Sequence, residues 1–177
     1  MQGRVSGIQL ARVMDGGNLL YALSMHTGSI QLYRFDSGKN TLKLVKNYMD
    51  SAQLGLTRPE NLCLSPDEKW LAVVCMPTGK VQIYAFDQEK MVKPIPAATF
   101  KADRVNGAHF APDGKTLAWV QLDPRAKICF ARIIEEADGS ISIKKFQTIK
   151  NPVKGLVPKS LDFSKDGQFV VVAGVYN

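Results

Sequence analysis

One turn recurs four times along the chain and restricts what the chain can build. It centres on Asp15 (MDGGN), Asp67 (SPDEK), Asp113 (APDGK) and Asp166 (SKDGQ), at separations of 52, 46 and 53 residues. Self-similarity near this period marks propeller blades and solenoids. The register continues inside each copy. Four residues after the Asp stand Leu19, Leu71, Leu117 and Val170, about a dozen after it Gly28, Gly79 and Ala126, and then come SIQLYRFD, KVQIYAFD and KICFARII.

Each copy reads as strand throughout. An alternating segment (ENLCLS, GAHFA, SLDFS) meets the turn, whose Asp can bond its own backbone and whose Gly tolerates positive φ. A near-continuous apolar run follows (LLYAL, WLAVVCM, LAWVQL, FVVVAGV), as expected of a strand buried on both faces. A third strand with alternating aromatics and a more polar fourth (TLKLVKN, MVKPIPAATF, SISIKKFQTI) complete the unit, and helical periodicity is absent. Four antiparallel strands per repeat make a propeller blade, its outermost strand carrying Lys and Thr at a wet edge. The fold predicted is an all-β propeller of four-stranded antiparallel blades, incomplete at about 3.5 blades. The blades fall at about 5–50, 51–101, 102–150 and 151–177, the last one truncated. A chain of this kind is expected to be a piece of a longer polypeptide, docked to the rest of it or self-associated through its apolar end faces.

The stretches RPENLCLSPDEKWLAVVCMPTGKVQIYAFD and VPKSLDFSKDGQFVVVAGVYN resemble the blades of YVTN-type and lactonase-like β-propellers, and the resemblance covers nearly the whole chain. It implies a seven-bladed parent and, for lactonase-like members, a site of His and Arg residues on one face of the disc. Here the residue after the Pro of the second copy is Glu60, and no cluster of histidines is visible. On that ground the expected function is a non-catalytic scaffold that binds a protein or an anionic small molecule. The alternative is a lactonase-like hydrolase of the sugar-lactone type.

Composition narrows the classes. The longest apolar runs, Trp70 to Met76 and Phe169 to Val175, fall far short of the roughly 20 residues of a spanning helix, so no membrane partner is expected. The N-terminus shows no apolar signal segment, which leads to a cytoplasmic expectation. Cys63, Cys75 and Cys129 lack metal-ligand spacing and read as small core residues; with Cys63 facing Ala72, Cys75 lies on the opposite face of its sheet. No phosphate loop, metal cluster or Ser-His-Asp set can be assembled, so no cofactor is expected. The net charge is +7, and Lys144, Lys145, Lys150, Lys154 and Lys159 read as a solvated face that protects an edge, not as a nucleic-acid site. Tyr33, Phe35, Tyr84 and Phe86 read as blade-to-blade packing, and His109 as a packed, hydrogen-bonded histidine.

Position supplies the candidate site. The links between blades (LTRPEN, KADRVNG, KGLVPKS) and the turns MHTGS, MPTGK and LDPRAK converge on one face of a propeller, where loops are free to bind. The polar residues expected there are His26, Arg58, Glu60, Asn61, Arg104, Asn106, Arg125 and Lys159.

Overall fold

A computed structural model describes residues 10–24, 29–49, 54, 56, 58–87, 89, 91–93, 96–122, 126–151 and 153–176. Four sheets follow one another along the chain. The first pairs β1 (Leu10–Met14), β2 (Leu19–Ser24), β3 (Ser29–Asp36) and β4 (Thr41–Met49) in simple antiparallel order. The second comprises β5 (Asn61–Leu64), β6 (Trp70–Cys75), β7 (Lys80–Ala85) and β8 (Ala98–Lys101). The third comprises β9 (Val105–Phe110), β10 (Thr116–Gln121), β11 (Lys127–Glu135) and β12 (Ile141–Lys150). In the fourth, β13 (Leu156–Phe163) pairs with β14 (Val170–Tyr176). These are three whole blades and the inner half of another, stacked face to face as part of a propeller.

Three apolar layers hold the stack. Tyr21, Leu23, Ile30 and Leu32 of the first blade pack on Leu71, Val73 and Tyr84 of the second. Trp70, Ala72, Val74 and Ile83 of the second meet Phe110, Leu117, Trp119 and Ile133 of the third. Ala118, Val120 and Phe130 meet Leu161 and Val172 across the last interface. The middle strand β6 is buried along its whole length, with one face in each of two layers, which is why WLAVVC carries no polar residue. The cysteines obey the same geometry: Cys63 and Cys75 form no disulfide and are buried in different layers. Aromatics at the third strand of the second blade pack back on the first, Phe86 against Tyr21 of β2 with ring centroids 5.4 Å apart and the Tyr84 hydroxyl donating to the Leu54 carbonyl.

The structure departs from the sequence reading in three places. Leu19 is not the counterpart of Leu71, Leu117 and Val170. Leu19 faces the following blade, whereas the others face the preceding one. Met14 pairs with Leu19 around the loop DGGN, so Asp15 opens its loop where Asp67 stands second in PDEK, and a one-residue slip reverses the side chain's face. Second, of the polar strand expected over MVKPIPAATF, the described residues show β8 and a bridge of Phe86 with Val92. Pro96 has no N–H to offer a ladder. Third, Leu54, in the link between the first two blades, is helical. No helix among the described residues is long and apolar enough to cross a membrane.

The turn Asp works as its chemistry suggests. Asp67 Oδ1 accepts from the Ser65 hydroxyl at 2.6 Å and the Lys69 N–H at 3.2 Å. Asp166 repeats this with Ser164 and Gln168. Asp113 takes the N–H groups of Lys115 and Thr116 at 2.8 and 2.7 Å, the Thr116 hydroxyl, and Arg132 at 2.8 Å. Partial burial acts to raise the Asp113 carboxyl, and these donors together with the Arg132 charge outweigh it, so its pKa lies below the ordinary value. A carboxylate that releases its proton more readily folded than unfolded adds stability above its unfolded pKa of about 3.9 and loses it as pH falls through the lower folded value. Asp113→Asn should therefore flatten the acid end of a Tm-against-pH curve. A curve of unchanged shape would show that the turn does not depend on this charge.

Candidate functional site

The inner strands β1, β5, β9 and β13 stand side by side and form a concave wall. They approach closely because small groups and one side chain mediate the contact. The Asn61 Oδ1 accepts the Ala108 N–H at 3.3 Å, fastening β5 to β9. A Cβ on Gly107 would lie 2.8 Å from the Lys159 carbonyl oxygen and 2.8 Å from Ser160 Cα, so only glycine lets β9 meet β13 at this level. Glu60, Gly107 and Lys159 are thereby brought to one end of the wall. The Glu60 N–H donates to Val74 and the Leu122 N–H to the Arg104 carbonyl, which sets the links between blades over the ends of the second strands.

Glu60 is the residue with unusual chemistry there. It is half-buried, and burial raises its carboxyl above the ordinary value while the charges of Arg58 and Lys159 pull it down. The positive charges that act on this carboxylate come from the second and fourth blades. Arg58 and Arg104 are exposed and occupy the same place in successive repeats, with φ of 46° and 42°. A non-glycine residue in the left-handed region costs about 1–2 kcal/mol, and such residues gather at functional sites.

Of the residues expected from sequence, Arg58, Glu60 and Lys159 come together, and Arg104 stands exposed at the start of the neighbouring blade. Asn106 is half-buried in β9, and the Asn61 carbonyl oxygen is engaged with Ala108. His26 and Arg125 lie outside the described residues. Sequence reading passed over one pair: His109 Nδ1 lies 3.3 Å from Asp162 Oδ1 across β9 and β13. The alternation of GAHF and SLDF allowed a pairing, but the register between the inner strands of the third and fourth blades is set by Gly107 and could not be read from either segment alone. No group of three or more potential metal ligands occurs among the described residues.

Residues 4–104, more than half of the chain, match the family described as lactonase, 7-bladed β-propeller. The chain belongs to this lactonase family. Among solved structures, a presumptive 6-phosphogluconolactonase of Bacteroides uniformis is similar with a TM-score of 0.74 and 17% identity, covering 94% of this chain and 47% of the other. The periplasmic gluconolactonase PpgL of Pseudomonas aeruginosa aligns with a TM-score of 0.65 and 16% identity over 82% of this chain and 40% of its own. The hydrazine synthase of Kuenenia stuttgartiensis shares the fold as well, with a TM-score of 0.65 and 18% identity over 97% of this chain and 44% of that one. The chain spans about half the length of the first of these structures. No curated protein matches the chain in sequence. The expectation of a non-catalytic scaffold is corrected by the family match and by the lactonase names among the structural neighbours. That expectation rested on the absence of a histidine cluster. The repeat residues that carry the family match build blades and are silent about chemistry.

Proposed function

We propose that this lactonase-family propeller contributes to the hydrolysis of a sugar lactone that carries an anionic group, at the end of the inner wall where Glu60 stands. The observation that carries the reading is the half-buried Glu60 acted on by the charges of Arg58 and Lys159. Opening a lactone requires a base to take a proton from water as it attacks the carbonyl carbon. A carboxyl raised above its ordinary value by burial is suited to that task. The cations supply the rest: Arg58, Arg104 and Lys159 attract a phosphate or carboxylate and hold the ring over Glu60.

The test is acid release from glucono-lactones with and without a 6-phosphate, followed by pH-stat, in the intact protein and in Arg58→Glu combined with Arg104→Glu. Reversing both charges should raise KM for the phosphorylated lactone at least tenfold and flatten its salt dependence, because exposed charges are screened over about 8 Å at physiological ionic strength. The neutral lactone should be affected much less. An unchanged KM and salt slope would remove the arginines from the site, and absence of any turnover would overturn the hydrolase reading.

A further inference from the structure

The imidazole of His109 is 24% exposed, and its Nδ1 faces Asp162 Oδ1 at 3.3 Å. The same carboxylate oxygen accepts the Phe163 N–H at 2.8 Å, so Asp162 is itself held in place. A carboxylate on one ring nitrogen orients the ring and favours the imidazolium. The pair sits on the wall that carries the proposed site. His109 is two residues beyond Gly107 on β9, and Asp162 is two beyond Ser160 on β13, the residues that abut at the level of Lys159. Two residues of strand rise about 7 Å, which sets the pair about that far along the wall from the level of Lys159. The charged groups on strands packed against β9 are Asp162 and Lys159 of β13, with Glu60 just before β5; β6 and β10 carry none.

We propose that His109, oriented by Asp162, is the general acid that protonates the leaving ring oxygen of a lactone whose attacking water is deprotonated by Glu60. The assignment rests on the lactonase reading given above. Water oxygen bonds to the carbonyl carbon as its proton passes to the Glu60 carboxylate. The bond from that carbon to the ring oxygen breaks, its electron pair stays on the ring oxygen, and that oxygen takes the proton of the His109 imidazolium. The product is the open hydroxy acid, and the proton on Glu60 returns to imidazole through solvent, so lactone and water are the only reactants consumed. An alkoxide is a poor leaving group and needs this proton, whereas a phenolate leaves without it.

The intact protein is assayed with a glucono-lactone and with an aryl ester of the same hydroxy acid. His109→Gln should lower kcat on the lactone by about 10²- to 10⁴-fold, abolish the alkaline limb of its pH profile, and change the aryl ester rate less than about tenfold. Equal losses on both substrates would overturn the acid role and leave His109 as a clasp between blades. No turnover of either ester by the unaltered protein would instead defeat the lactonase reading, and this assignment with it. A readout independent of activity comes from the histidine count of two: His26→Gln leaves one imidazole resonance. Its titration midpoint should move to lower pH when Asp162→Asn removes the charge that favours the imidazolium. An unmoved midpoint would overturn the pairing even if His109→Gln failed to fold.

Discussion

Glu60→Gln is expected to lower kcat for a sugar lactone by about 10²- to 10⁴-fold with little change in KM, the usual contribution of a positioned general base. The substitution keeps shape and removes only the ability to take a proton. Its effect on pH dependence follows from the direction of the shift. Glu60 must be ionised to act, and burial raises its carboxyl against the opposing pull of Arg58 and Lys159. Activity of the unaltered protein should therefore fail on the acid side at a pH above the ordinary glutamate range, and Arg58→Gln should move that limb higher still. The measurement is the pH profile of kcat for the two proteins. A limb left in place by Arg58→Gln would show that the cation does not act on Glu60, and a Glu60→Gln enzyme of ordinary rate would transfer the base to another residue.

The largest effect on stability is expected at Trp119. It is 2% exposed, packs at a tilt against Phe100 with ring centroids 5.0 Å apart, and lies beneath the Lys145 ammonium, 5.7 Å from the ring centre. It fills the layer between the second and third blades together with Trp70, Ile83 and Leu117. Truncating a buried tryptophan to alanine costs about 3–5 kcal/mol, a large share of a typical stability of about 5–15 kcal/mol. Trp119→Ala should lower Tm by roughly 6–20 °C at about 2–4 °C per kcal/mol for a chain of this size. Phe146 is the control. It is 53% exposed on the outer strand, so Phe146→Ala should shift stability by no more than about 0.5 kcal/mol, although Arg132 lies 5.8 Å from its ring centre. Comparable melting shifts for the two variants would mean that the blades are not held together by this layer.

The blade was legible in sequence because its determinants are local. Asp67, Asp113 and Asp166 bond N–H groups two or three residues away, and the near-continuous apolar runs of β6 and β10 mark strands buried on both faces. Errors arose where one residue decides a register. Asp15 opens its loop instead of standing second in it, and that single step turned Leu19 to the other side of its sheet. The site was legible only in part. Arg58, Glu60 and Lys159 could be assigned to one face from topology, but that both charges act on the carboxylate depends on how far the second and fourth blades curve toward each other. His109 and Asp162 are separated by a whole blade repeat in sequence, and their contact is created by a glycine that belongs to neither. Function was read wrongly for a related reason. The residues that repeat are those every blade needs, whereas catalytic residues in a propeller are contributed once each by different blades and form no pattern along the chain.

On the face opposite Glu60, the Asp-centred turns are tied from blade to blade. Glu68, with φ of 56°, occupies the place that Gly114 and Gly167 fill in the later repeats, and its two carboxylate oxygens lie 2.9 and 3.0 Å from the Asp15 N–H of the preceding blade. Lys69 reaches on to Glu135 of the following blade at 3.5 Å. The two contacts run in chain order, first blade to second and second to third, and both lie on that rim. A glutamate in a glycine's position, at a backbone cost of about 1–2 kcal/mol, thus fastens the first two blades to each other at the rim opposite the one where Arg58 and Arg104 stand.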